Sequence, residues 1–131
     1  MEYVELIALL AMLQFVAFGA LTAKARGQSG LKAPAMTGHD GFERMYRVQM
    51  NTLELLVVFL PALFLAAKYW PAALVSGLGI VYLIGRHLYW RAYTTAPSKR
   101  GFGFTLSLVP TVLLLLAAFV GVALALLGFK S

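Results

Sequence analysis

Apolar residues fall into four long runs separated by three polar connections. The first runs from about Leu6 to Ala23, with Glu2 and Glu5 before it and Lys24 and Arg26 after it. The second starts as the charged stretch FERMYRVQMNTLELLVVFLP, Phe42 to Pro61, and continues to about Ala67. Pro61 is expected to kink it. The third spans about Ala72 to Tyr93, and the fourth about Phe102 to Phe129 without one charge. Between the first two, Lys24 to Gly41 holds four glycines and a proline (GQSGLKAPAMTGHD) and reads as a loop. Tyr69, Trp70 and Pro71 read as a tight aromatic turn at a membrane interface. The expected fold is an all-α integral membrane protein, one domain over residues 1–131, built as a four-transmembrane-helix bundle.

Polar positions inside the runs are spaced as helix faces. Arg44, Arg47, Asn51 and Glu54 follow at steps of three, four and three, which aligns them. Glu54 then lies roughly 10 Å deeper along the axis than Arg47. Such groups are expensive in a bilayer unless they face each other, water or a ligand. A helix start with boundary charges and one internal ion pair would show the same pattern. In the third run Tyr82, Arg86, Tyr89 and Tyr93 follow at steps of four, three and four. An interfacial tyrosine belt would also look like this. Both faces nevertheless end on the same side, where they can converge on one pocket. In the fourth run Ala117, Gly121 and Ala125 form a small-residue ladder that would let another helix approach closely.

Composition sharpens the picture. With 61% hydrophobic residues in 131, the chain is too apolar for a soluble globule. It has no cysteine, so any thiol chemistry must use a thiol carried by a substrate. Two widely separated histidines give no reason to expect a metal site. Of eleven basic residues, nine (Lys24, Arg26, Lys32, Arg44, Arg47, Arg86, Arg91, Lys99 and Arg100) fall around the first and third connections. Lys68 and Lys130 are left for the other side. This bias places both termini away from the cytoplasm. It explains the net charge of +6 without nucleic acid. Negative charge ahead of the first run marks a retained membrane helix, since a secretory signal would carry positive charge there.

A pocket between the two polar faces has a definite chemistry. Arg26 and Arg47 would hold carboxylates bidentately. Glu54 would hold an ammonium, and Gln49 and Asn51 would satisfy amides. Tyrosines supply donors and flat apolar walls. A remaining arginine at the rim could stabilise a developing anion. The set fits a small zwitterionic peptide with two carboxylates and one amine. It does not suit a sugar, a metal or a nucleotide, and no glycine-rich phosphate loop is present.

The run FERMYRVQMNTLE (Phe42 to Glu54) resembles the signature of the MAPEG family, the membrane-associated proteins in eicosanoid and glutathione metabolism. VYLIGRHLYWRAY (Val81 to Tyr93), followed by PSKRG (Pro97 to Gly101), is similar to its second block. The resemblance implies a homotrimer with glutathione, the co-substrate, bound between subunits near the cytoplasmic side. It places glutathione contacts on Arg26, Arg47, Gln49, Asn51, Glu54, Tyr89 and Tyr93, and thiol activation on Arg100. It implies conjugation of glutathione to lipophilic electrophiles that arrive through the membrane lipid, and allows reduction of lipid hydroperoxides. The apolar substrate pocket is expected to draw on helices one and four. Leu55, Gly27 and Val57 stand where the leukotriene C synthase branch has tyrosine, arginine and proline, which points to a general detoxifying transferase. The end at Ser131 without an extension suits a minimal member. Two other readings keep the same helices: a non-catalytic lipid-presenting member, and a four-helix small multidrug exporter. The exporter would carry its membrane glutamate in helix one, where this chain has Gln14.

Overall fold

The computed structural model describes residues 1–128. Four α-helices account for most of it: α1 (Glu2–Ser29), α2 (Asp40–Ala67), α3 (Ala72–Thr95) and α4 (Gly101–Leu126). A 3₁₀ turn, Pro97–Lys99, joins the last two. All four helices are long and apolar enough to cross a membrane. Large apolar side chains such as Leu13, Val57, Phe102 and Phe119 stay exposed along their outer faces, as a lipid solvent requires. The predicted ends of the fourth run, at Phe129, and Lys130 lie outside the described residues.

The first helix is longer than its apolar run. It continues through Lys24 and Arg26 to Ser29 and stops at Gly30, whose φ of 78° is the left-handed conformation that favours glycine. The connection therefore begins at Gly30 and not at Lys24. Gly27 is carried inside the helix despite its low propensity, no proline interrupts the segment, and Arg26 in the last turn suits the helix dipole. Arg26 closes this connection by donating to the Ala35 carbonyl at 2.8 Å and stacking 4.4 Å over the Phe42 ring. The start of α2 is capped reciprocally. His39 Nδ1 accepts from the Phe42 amide at 3.3 Å, and Glu43 Oε2 accepts from the Gly38 amide at 3.0 Å. Downstream, α2 runs on through Pro61.

In the bundle α1 packs on α2 and α3, and α4 packs on α2 and α3. The main core is built around Val4, Ala11, Phe59, Leu63, Val75, Tyr82 and Leu114, with the Tyr82 ring stacked on that of Phe59, centroids 3.8 Å apart. A second cluster of Phe18, Met45, Val48 and Tyr89 sits at the charged end. The tightest helix crossing is between α3 and α4, at Gly85, Gly103 and Ser107. A Cβ on Gly85 would stand 2.6 Å from the Ser107 amide nitrogen, and one on Gly103 would stand 2.9 Å from the Gly85 carbonyl oxygen. The ladder at Ala117, Gly121 and Ala125 does not receive another helix among the described residues. Gly121 receives the Tyr69 side chain, the Ala117 carbonyl accepts from Trp70 Nε1 at 2.8 Å, and Ala125 is exposed.

Candidate functional site

The 3.6-residue period carries Arg47, Asn51 and Glu54 down the face of α2 that looks toward the start of α4. Tyr89 and Tyr93 approach from α3, and Arg100 stands at the entrance to α4. These six residues line one hollow of about 170 Å³, together with Met50. Asn51, Tyr89 and Arg100 also line a larger adjoining hollow of about 470 Å³, completed by Ser98, Gly101 and Phe104. That volume is within the usual range for a small-molecule site. The two polar faces read from sequence do converge.

The groups are poorly matched among themselves, which suits a site awaiting a ligand. Among the described residues the only ion pair joins the Met1 ammonium to Glu2, at 3.9 Å. Glu54 and Arg47 are both exposed and make no internal pair. The bland alternative of a helix with its own ion pair is thereby removed. Arg100 commits one N–H to the Pro97 carbonyl at 2.8 Å and lies 5.6 Å from the Tyr93 ring centre, leaving the rest of its guanidinium free toward the hollow. Tyr89 sits against Tyr93 and Phe104, with ring centres 5.5 and 6.2 Å away.

Two predicted site residues lie elsewhere in the chain. Arg26 is turned to Ala35, Met36 and Phe42 at the α1–α2 edge. Gln49 reaches the same edge, where its amide is the nearest group to Gly19. A step of two residues rotates a helical side chain about 200°, so Gln49 cannot share a face with Arg47 and Asn51. Two apolar hollows also draw on α4. One, of about 230 Å³, lies between α3 and α4 around Leu78, Phe102 and Val109. The other, of about 210 Å³, lies between α2 and α4 around Leu65 and Phe119. Neither draws on helix one, which the sequence had paired with helix four for this purpose.

Arg86 is the residue whose role spacing left undefined. It is fully buried, and its guanidinium joins three helices. Nη1 donates to Asn51 Oδ1 at 2.7 Å and to Thr52 Oγ1 at 3.2 Å on α2. Nε and Nη2 donate to Ser107 Oγ on α4 at 3.0 and 2.8 Å. Its Cζ lies 4.3 Å from the centre of the Tyr89 ring. Both hydroxyls spend their own protons inside their helices, Thr52 on the Val48 carbonyl and Ser107 on the Gly103 carbonyl, so only lone pairs face Arg86. The signal available in the sequence was a charge in mid-helix, which inside a membrane demands partners.

The sequence profile of the MAPEG family matches residues 4–120, covering both signature blocks and the whole site. Human microsomal glutathione S-transferase 2 is 40% identical over 106 residues, 81% of this chain and 72% of that protein. An uncharacterized protein of the cyanobacterium Synechocystis is 39% identical over 117 residues, 89% of this chain and 85% of its own length. Bovine leukotriene C4 synthase is 31% identical over 125 residues, 95% of this chain and 79% of that enzyme. With four membrane-length helices, two polar faces meeting at one end and a family match across nearly all of its length, the chain belongs to the MAPEG family.

Proposed function

We propose that the protein is a membrane-bound transferase that joins glutathione to lipophilic electrophiles. The observation that carries this is the meeting of Arg47, Asn51, Glu54, Tyr89, Tyr93 and Arg100 at one hollow. Two carboxylates and one ammonium on the ligand answer the arginines and the glutamate. Relatives named glutathione S-transferase and leukotriene C4 synthase support the same reading. Arg100, at the mouth of α4, holds the sulfur as a thiolate. A free thiol has a pKa of roughly 8.5, and each unit of depression corresponds to ~1.4 kcal/mol. The thiol proton passes to solvent and the sulfur attacks an electrophilic carbon. A carbon–sulfur bond forms, and the electron pair of the broken bond leaves with the departing group or stays on an opened epoxide oxygen. With a lipid hydroperoxide the same thiolate would attack oxygen, and a second glutathione would complete the reduction.

The separation of Arg26 and Gln49 from the other contacts supports a site shared between copies. If all eight residues serve one ligand, the α1–α2 edge of one subunit must meet the α2–α4 edge of the next. Repeated around an axis, that heterologous contact closes a ring. The family resemblance implies that this ring is a homotrimer. The direct test is calorimetric titration of the purified protein in detergent with glutathione, alongside conjugation of an aryl halide electrophile. Saturable binding and thioether formation are expected. No binding at millimolar glutathione would overturn the assignment.

A further inference from the structure

Asn51 lines both hollows, yet part of it is already spoken for. Its Oδ1 accepts from Arg86 at 2.7 Å. A guanidinium has donors and no acceptor, so the end of the amide that meets Arg86 must be the oxygen. The Nδ2 group is therefore the end left for the cavity, and it has no acceptor among the described residues. Arg86 cannot turn away to release it. Its remaining contacts, to Thr52, Ser107 and the Tyr89 ring, come from three directions, and it has no exposed surface. An asparagine free to flip could meet a ligand with either a donor or an acceptor. This one is locked as a donor.

The same guanidinium is a buried positive charge with no carboxylate in ion-pair range among the described residues. A ligand group that approaches Asn51 thus meets two N–H donors backed by an uncompensated cation. Both features favour an anionic oxygen and penalise an amide or ammonium N–H, which would face a donor without an acceptor.

We propose that Arg86 is a positioning residue that sets the polarity of Asn51, so that the cavity selects a ligand carboxylate at that point. This deepens the glutathione reading and rests on it, because it assigns one of the tripeptide's two carboxylates to Asn51. It also gives Asn51 a different duty from pairing with a peptide amide N–H.

The test compares Asn51→Asp and Asn51→Ala with the parent, using glutathione binding and steady-state kinetics in detergent. Aspartate keeps an oxygen for Arg86 and presents a second oxygen to the cavity in place of the donors. The Asp variant should unfold no earlier than the Ala variant, yet its Kd and KM for glutathione should rise at least tenfold and exceed those of the Ala variant. Turnover at saturating glutathione should change far less. A purely structural Asn51 predicts the opposite order, with Ala the worse binder. An Asp variant that binds as tightly as the parent, or more tightly than the Ala variant, overturns the proposal. Arg86→Met completes the cycle. Its effect on KM should be smaller in the Asn51→Ala background than in the parent, and full additivity would show that Arg86 does not act through Asn51. If Arg86→Met fails to fold, the Asp and Ala comparison still decides. A parent that binds no glutathione would sink the functional reading itself, a result distinct from each of these.

Discussion

Gly103→Ala adds one methyl group where α3 and α4 touch. Its Cβ would stand 2.7 Å from the Tyr89 Cα and 2.9 Å from the Gly85 carbonyl oxygen. Both are backbone atoms, so no side-chain rotation relieves the overlap. Non-bonded carbons settle at ~3.5–4.0 Å, so the helices must part locally by roughly 1 Å. Overpacking of this kind costs about 1–3 kcal/mol. The parting has a second effect one turn along, where Ser107 Oγ takes bonds from Arg86 at 3.0 and 2.8 Å. A further ~1 Å puts both beyond hydrogen-bond range, and bonds to a charged group are worth about 1.5–3 kcal/mol each. Better helix propensity returns only about 1 kcal/mol. A net loss of at least about 3 kcal/mol is expected, measured by thermal or denaturant unfolding in detergent. Gly77→Ala is the control, since its Cβ meets nothing within 4 Å. That variant should hold or gain about 0.5–1 kcal/mol. If Gly103→Ala is as stable as Gly77→Ala, the close crossing does not exist and the account of how Arg86 reaches Ser107 fails with it.

Three more outcomes follow from the site. Arg100→Ala should leave glutathione binding largely intact while the ultraviolet thiolate signal titrates at higher pH. Turnover near pH 7 should fall about tenfold per pKa unit lost, and unchanged titration would return Arg100 to a purely topological charge. Glu54→Gln should weaken glutathione binding without lowering the unfolding temperature, because Glu54 has no ion-pair partner among the described residues. A stability loss with unchanged affinity would refute that assignment. Co-expressing Arg26→Ala and Arg100→Ala chains should restore some activity, since roughly a quarter of randomly formed heterologous interfaces would carry both native arginines. Activity no higher than either variant alone would mean that the residues do not meet across subunits.

The helices were legible because hydropathy and length settle them in a bilayer, and the two polar faces because their spacing is strictly helical. The end of α1 was not. Hydropathy reports where lipid stops, and Lys24, Ala25 and Arg26 are good helix formers in water. Of the four glycines between Lys24 and Gly41, it is Gly30 that ends it, while Gly27 is carried inside the helix. The small-residue ladder expected to admit another helix, at Ala117, Gly121 and Ala125, is not where two helices approach closest. The closest approach, between α3 and α4, lies at Gly85, Gly103 and Ser107, where the small pair Gly103 and Ser107 on α4 meets a single glycine of α3. Arg86 could be flagged from one helix, but its partners come from α2 and α4, and spacing along a chain does not report which distant segments pack together. The position of Gln49, by contrast, was present in its step of two from Arg47 and Asn51.

A guanidinium at the centre of α3 also bears on how the chain enters the membrane. A central arginine costs a lone inserting helix about 2.5–3.5 kcal/mol on biological insertion scales. When α3 leaves the translocation machinery, Ser107 has not yet been presented, but Asn51 and Thr52 on α2 already have. α3 should therefore enter paired with α2 rather than singly, and its Arg86 should wait for α4 to supply the Ser107 hydroxyl. In a glycosylation-reporter insertion assay, α3 alone should enter less efficiently than its Arg86→Leu version. Placing α2 ahead of it should close most of that gap, and a gap that persists would mean that the two helices meet only after both are in the bilayer.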